Sequence, residues 1–186
     1  MGEEIEKRKS DRILEAIKKR LDEKQTIQVE EKKVELVVFT LNDAFYAFYG
    51  QDVKEILSVL TIYFVPGTPK YILGIVNVRG DIQSVLNIRT FLNIPENELV
   101  EAKGRIVIAE KNDVRSGVLV DSVVDVVDVP EESIKQAIST LNEDIRYFVV
   151  GETTYKEHNV VLLDIGKVFE KISEGKIESS VETPSK

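Results

Sequence analysis

The 186-residue chain contains no cysteine, no tryptophan and a single histidine. Without thiolates it can form neither disulfides nor cysteine-ligated metal sites, and one imidazole excludes a two-histidine metal site. The lack of cysteine is compatible with a reducing cytoplasm, where we expect the protein to reside. No apolar run approaches the roughly 18 residues of a membrane span, which argues against direct membrane insertion. The charged first twelve residues lack the apolar core of a secretory signal.

Reactive groups that could form a catalytic site are also scarce. His158 lies in a polar turn with no nucleophile nearby in sequence, so we expect a solvated imidazole rather than a general base. No glycine-rich phosphate loop of Walker or dinucleotide spacing is found. Asp121, Asp125 and Asp128 would share one face of a helix, as in a carboxylate metal site, but the valines between them favour a strand that separates them. We therefore predict a binding module rather than an enzyme, with no metal and no cofactor.

The net charge of −8 is unevenly distributed. Residues 1–35 hold ten basic and ten acidic side chains, whereas residues 36–186 hold 23 acidic and 15 basic ones. An acidic body repels a phosphate backbone. The charge distribution therefore predicts no nucleic-acid partner.

The N-terminal segment has helical periodicity. Within residues 10–23 an apolar stripe falls on one helical face, which predicts a helical extension and linker over residues 1–34. The stripe consists of Ile13, Leu14, Ile17 and Leu21. This helix either packs on its own domain or docks on a partner, and both interpretations remain open. At the other end, the polar residues 173–186 are typical of a disordered tail.

Residues 35–172 are dominated by short runs of β-branched and aromatic residues separated by turn signals, such as Asn42-Asp43, Gly80-Asp81 and His158-Asn159. The segment also repeats itself weakly. A shift of 70 places Asn42-Asp43 on Asn112-Asp113, and a shift of 77 places Gly74 on Gly151. We therefore predict a mainly β protein of two similar five-stranded, SH3-like β-barrels with short helices, over residues 36–95 and 104–172.

Two stretches resemble the chemotaxis coupling proteins, the CheW-like adaptors: "FVPGTPKYILGIVNVRGDIQSVLNIRTFL" and "GVLVDSVVDVVDVP". The resemblance implies one CheW-like domain over residues 35–172, built from two five-stranded barrels on a shared core. It also implies a non-enzymatic adaptor that couples the cytoplasmic tip helices of chemoreceptors to a histidine kinase. The kinase carries a regulatory domain of the same fold. The resemblance also implies that the protein associates into rings in the cytoplasm, beside receptor arrays at the inner membrane.

The resemblance also nominates docking residues. Arg79 matches the arginine of the family's Asn-Leu-Arg-Gly, and Glu55 matches the glutamate of its Val-x-Glu-Ile, so we expect the two to form an ion pair at a docking edge. Val53 and Val123 occupy equivalent positions in the two repeats, either in an apolar groove for a receptor helix or as plain core valines. The full partner-binding set implied is Val53, Glu55, Ile56, Gly74, Arg79, Gly80 and Val123.

Three positions depart from the family pattern. Val78, Ser84 and Asn87 stand where leucine, proline and aspartate are usual. A divergent paralogue that serves another signalling complex is therefore an alternative function, and a small-ligand-binding β-barrel is a second one. A regulator fused to a phosphorylated receiver domain is disfavoured, because the chain lacks alternating β and α units.

Overall fold

A computed structural model describes residues 32–58, 61–96, 104–136 and 143–174, together with Glu15. The chain divides into two compact units, Met1–Lys32 and Lys33–Lys186. The predicted helix over residues 10–23 lies outside the described residues apart from Glu15, as does nearly all of the predicted tail. Among the described residues, no helix has the length and apolarity needed to cross a membrane.

The described part of the second unit consists mostly of strands, joined by short helices. The strands are β1 (Lys33–Leu41), β2 (Ala44–Tyr49), β3 (Val53–Ser58), β4 (Ile72–Val78), β5 (Asp81–Leu86), β6 (Arg105–Lys111), β7 (Val114–Val120), β8 (Ser122–Pro130), β9 (Val149–Tyr155) and β10 (His158–Leu163). The α-helices are α1 (Arg89–Leu92), α2 (Glu143–Arg146) and α3 (Ile165–Ser173), and 3₁₀ turns occupy Gly50–Asp52 and Glu131–Ser133.

The strands form two five-stranded sheets that exchange hairpins. Sheet I has the order β8-β1-β2-β10-β9, and sheet II has the order β3-β6-β7-β5-β4. In each sheet, the first hairpin of one repeat therefore lies between strands of the other repeat. The mainly β prediction with two five-stranded sheets is confirmed, but the contiguous subdomains 36–95 and 104–172 do not correspond to the sheets. A sequence repeat shows that two segments share a pattern, and it does not show which copy supplies a strand's neighbour.

The exchanged hairpins are held by two parallel pairings. In sheet I, Phe45 of β2 stands opposite Val160 of β10, and in sheet II Gly117 of β7 stands opposite Val85 of β5. All other strand pairs are antiparallel. The two repeats are therefore joined within each sheet as well as between the sheets.

Four hairpins use two-residue turns in which both central residues have positive φ. These residues are Asn42-Asp43, Arg79-Gly80, Asn112-Asp113 and Lys156-Glu157. Positive φ at both positions defines the type I′ turn, which matches the twist of paired strands. The turn predicted at Gly80-Asp81 lies one residue earlier, at Arg79-Gly80, and Asp81 begins β5. The predicted turn at His158-Asn159 is wrong, because these residues begin β10. Lys-Glu carries none of the usual I′ residue types, so residue preferences do not predict this turn.

Neither sheet closes into a barrel through continuous pairing of the described strands. Instead, one antiparallel bridge lies on the outer edge of each sheet: Tyr63 pairs with Ile75 of β4, and Lys135 pairs with Glu152 of β9. A Cβ on Gly74 would lie 2.3 Å from the Tyr63 carbonyl oxygen, and one on Gly151 would lie 2.4 Å from that of Lys135. The repeated glycine is thus what allows the bridging segment to approach the sheet.

A central hydrophobic cluster joins the two sheets and the helices. Its members include Phe39 and Phe48 of sheet I, Val107 and Val118 of sheet II, and Phe91 and Phe169 of α1 and α3. Each sheet also encloses a smaller cluster on its other face. Alternate residues along a strand therefore reach different clusters, as the two-residue period of a strand requires.

Candidate docking site

The predicted ion pair between Glu55 and Arg79 is present. Arg79 lies in the β4–β5 turn, Glu55 lies on β3, and the guanidinium donates a hydrogen bond to Glu55 Oε1. The Arg79 side chain is 82% exposed, whereas that of Glu55 is 18% exposed. Because β3 and β4 are the opposite edges of sheet II, the pair links the two edges that continuous pairing leaves open. The exposed Arg79 guanidinium is thereby held in one position at the surface.

The turn that carries Arg79 has two residues with positive φ and is held by a hydrogen bond to the Asn77 side chain. Arg79 has φ of 54° and Gly80 has φ of 100°. The Gly80 amide donates to Asn77 Oδ1 over 2.8 Å. No atom lies within 4 Å of a Cβ built on Gly80, so the backbone angle, not a lack of space, favours glycine there. The turn therefore fixes the direction in which Arg79 leaves the sheet.

The second repeat contains an equivalent pair that the sequence analysis missed. Asp125 on β8 follows Glu55 by 70 residues, and Lys156 in the β9–β10 turn follows Arg79 by 77. Lys156 Nζ lies 3.5 Å from Asp125 Oδ2. The Tyr155 hydroxyl donates to the same oxygen, and this bond is the main reason that the pKa of Asp125 lies below its usual value. The sequence repeat alone could have predicted this pair.

The apolar members of the predicted set divide by exposure. Val53 and Val123 are partly buried and pack against the central cluster, as core valines would. Ile56 on β3 is exposed, and its register partner Val107 belongs to that cluster. Val126 is exposed at the equivalent position on β8, although the predicted partner-binding set does not include it. Gly74 is buried under the Tyr63 backbone, where it has a packing role.

The acidic and basic side chains that are more buried form structural contacts. Asp121 pairs with the buried Arg89 of α1, and its other oxygen accepts the Asn42 amide over 2.7 Å. Lys111 lies 3.0 Å from Asp52 and 3.1 Å from Asp164. Because Asp121 and Asp125 have separate partners, the three aspartates predicted on a strand do not converge on one point. Within the described ranges, no group of three His, Cys, Asp or Glu residues is placed to hold a metal ion.

The single histidine lies on the surface at the start of β10, and its ring stacks on Phe45 of β2. The ring centroids are 4.3 Å apart, with an angle of 11° between the planes. The stacking partner is an apolar side chain rather than a nucleophile. This geometry is that of a surface packing contact.

Comparison with known proteins identifies the family. The family model of the CheW-like domain matches residues 35–173. The chain is 33% identical to the chemotaxis protein CheW of Bacillus subtilis over 140 residues, which cover 74% of this chain and 88% of the relative. It is 29% identical to CheW of Treponema pallidum over 148 residues, covering 76% of this chain and 85% of that one.

A solved structure agrees with these matches. The crystal structure of the scaffolding protein TtCheW from Thermoanaerobacter tengcongensis superposes with a TM-score of 0.63 and 28% identity, covering 72% of this chain and 86% of that one. The residues that match the family model contain nearly all of the strands of both sheets. This chain therefore belongs to the CheW-like domain family.

Proposed function

We propose that the protein is a non-enzymatic adaptor that couples chemoreceptors to a histidine kinase in chemotaxis signalling. The observation that carries the proposal is the match of the CheW-like domain over residues 35–173. Relatives that match most of this chain are named chemotaxis proteins, and the matched crystal structure is that of a scaffolding protein. The site described above consists of exposed charges and apolar side chains, which suit binding rather than chemistry.

The regulatory domain of the kinase, which shares this fold, is the proposed partner of the Glu55–Arg79 edge. Ordering a free arginine side chain costs up to about 2 kcal/mol. Here Glu55 already orders the guanidinium, so part of that cost is met before a partner arrives. The other N–H groups of Arg79 belong to an exposed side chain. They can donate hydrogen bonds to a carboxylate or carbonyl of the partner.

The receptor tip helices are the proposed partners of the apolar side chains along β3 and β8. Ile56 and Val126 are exposed, whereas the residues that stand opposite them on the neighbouring strands, Val107 and Val37, are buried. An amphipathic helix lays its apolar face on such surfaces. On β3 this receptor contact lies beside the Glu55–Arg79 edge, so one adaptor can bind receptor and kinase together.

Ring-forming association at receptor arrays, on the cytoplasmic side of the inner membrane, belongs to the same proposal. Its support is the repetition of the edge, because Asp125 and Lys156 reproduce the positions of Glu55 and Arg79 in sheet I. A protein with two similar edges can bind two neighbours and so extend an assembly.

The test is a titration of the full chain against the kinase regulatory domain from the same source, by isothermal calorimetry. We expect micromolar binding by the wild type and at least tenfold weaker binding by Arg79→Glu. The melting temperature should change little, since an exposed ion pair contributes only about 0–1 kcal/mol. Lys135→Glu reverses an exposed charge on the bridge at the edge of sheet I and serves as the control.

Two results would contradict the proposal. If the wild type does not bind the kinase domain, the fold serves another partner. If Arg79→Glu loses binding and also unfolds several degrees earlier than Lys135→Glu, the arginine is structural and the docking edge lies elsewhere.

A further inference from the structure

The Asp125 carboxylate at the edge of sheet I is held by several groups besides its lysine. The Tyr155 hydroxyl donates to Asp125 Oδ2, and the backbone amide of Val126 donates to Oδ1 over 3.0 Å. Lys156 Nζ lies 3.5 Å from Oδ2, which is longer than the usual hydrogen bond. In sheet II, by contrast, the guanidinium itself makes the close contact with the carboxylate. The carboxylate of sheet I is therefore fixed mainly by groups other than Lys156.

Tyr155 is the buried member of this group. It is 9% exposed, and its ring belongs to the smaller hydrophobic cluster of sheet I, together with Leu36 and Val160. The side chains of Asp125 and Lys156 are 41% and 72% exposed. Packing in the cluster holds the ring in place, so the hydroxyl at its tip has a fixed position. The exposed carboxylate that accepts this hydroxyl is thus ordered by the core.

Two contacts locate the Lys156 ammonium, and both depend on Tyr155. The ammonium lies 4.8 Å from the centre of the Tyr155 ring, within the range of a cation–π contact. Its other contact is the Asp125 carboxylate, which the Tyr155 hydroxyl holds. A lysine has a flexible four-carbon stem and lacks the rigid fork of arginine. Lys156 therefore needs these contacts to keep its charge at one place on the edge.

The sequence repeat shows that the fold does not require this hydroxyl. A shift of 77 places Tyr155 on Val78, which is buried in the corresponding small cluster of sheet II. The two residues also have the same register, since Tyr155 stands opposite His158 and Val78 stands opposite Asp81. A hydrocarbon side chain thus fills this place in one of the two sheets. The hydroxyl is found in the sheet whose turn carries a lysine instead of an arginine.

We propose that Tyr155 is a positioning residue of the sheet I edge: its hydroxyl fixes Asp125, so that the Lys156 ammonium meets a carboxylate or carbonyl of a second kinase regulatory domain. This inference rests on the proposed function, in which the edges of the two sheets bind two neighbours. Tyr155 acts on the neighbour only through Lys156. Its effect on binding should therefore exist only while the lysine is present.

The test is a double-mutant cycle in the full chain, followed by NMR titration with the kinase regulatory domain, because NMR detects weak binding. All variants carry Arg79→Glu, which blocks the edge of sheet II and leaves that of sheet I. On this background Tyr155→Phe and Lys156→Gln should each weaken binding about three- to tenfold, as expected for the loss of one hydrogen bond. Adding Tyr155→Phe to Lys156→Gln should weaken binding no further. As the control, Tyr147→Phe removes a hydroxyl that contacts a carboxylate of α3, Glu170, over 3.4 Å, and should bind like its parent.

Equal binding by Tyr155→Phe and its parent would overturn the proposal. So would additive losses from Tyr155→Phe and Lys156→Gln, because a purely structural tyrosine acts whether or not the lysine is present. If the wild type binds but the Arg79→Glu parent does not, the edge of sheet I is no docking site and this inference alone fails. If the wild type does not bind, the proposed function fails and this inference fails with it. Should Tyr155→Phe unfold, Asp125→Asn, which keeps the shape of the side chain and removes its charge, takes its place in the cycle.

Discussion

Replacing Asp121 by alanine is expected to destabilise the protein far more than breaking the exposed Glu55–Arg79 pair. The Arg89 side chain is 4% exposed, and Asp121 is its ion-pair partner. Burial lowers the pKa of Arg89, yet an arginine remains charged at neutral pH. Removing the carboxylate leaves an uncompensated buried charge, which costs about 3–5 kcal/mol.

The Asp121 substitution also removes a link between distant segments. The Asp121 carboxylate accepts the Asn42 amide of the β1–β2 turn, so it ties the exchanged hairpin to the start of β8. A lost hydrogen bond of this kind adds about 0.5–1.5 kcal/mol. A domain of this size is stable by about 5–15 kcal/mol, so the substitution threatens folding itself.

The assay is urea unfolding followed by circular dichroism, with Arg79→Ala as the comparison variant. We expect Arg79→Ala to lose about 0–1 kcal/mol. The double variant Arg89→Met/Asp121→Ala should recover much of what Asp121→Ala loses, because it removes the buried charge along with its partner. Arg89 Nε has no hydrogen-bond partner among the described residues, so its removal also relieves a desolvation cost.

Either of two results would contradict this prediction. A loss of less than about 1 kcal/mol for Asp121→Ala would show that the guanidinium finds other compensation. A double variant no more stable than Asp121→Ala would show that the contact with Asn42, not the charge of Arg89, dominates.

Two further predictions concern the repeated features. Gly74→Ala and Gly151→Ala should each lower the melting temperature by several degrees, because the added Cβ would meet a bridging carbonyl at 2.3 and 2.4 Å. The loss should be larger for Gly74, whose φ of 150° also disfavours alanine, and equal melting temperatures of either variant and the wild type would contradict this account. The depressed pKa of Asp125 contributes stability that is present above its unfolded value, near 3.9, and is lost as the pH falls through the folded value. Tyr155→Phe removes the main cause, so its stability deficit should be clear at pH 6 and shrink towards pH 2, and a deficit independent of pH would point to packing instead.

Some site residues were predictable because their signals are local or belong to a family pattern. The turn at Arg79-Gly80 follows from the preference of glycine for positive φ, and the Glu55–Arg79 pair follows from the resemblance to CheW-like adaptors. The Lys156-Glu157 turn was missed because neither residue type favours its backbone angles. The Asp125–Lys156 pair could have been predicted from the sequence repeat. That prediction would have required the assumption that equivalent side chains have the same role in the two sheets.

The sequence alone determined the mainly β character, three of the four hairpin turns, the repeated glycine and the family. Each of these depends on residue preferences that act over a few positions, or on a motif that can be read directly. Only the tertiary structure decided that the repeats exchange their first hairpins, that Arg89 is buried against Asp121, and that the Tyr155 hydroxyl contacts Asp125. These features depend on which strands pair over long distances in the sequence. The two equivalent hairpins have similar local residue preferences, so either could pair with the same neighbouring strands. The choice between them is made by the packing of the whole core.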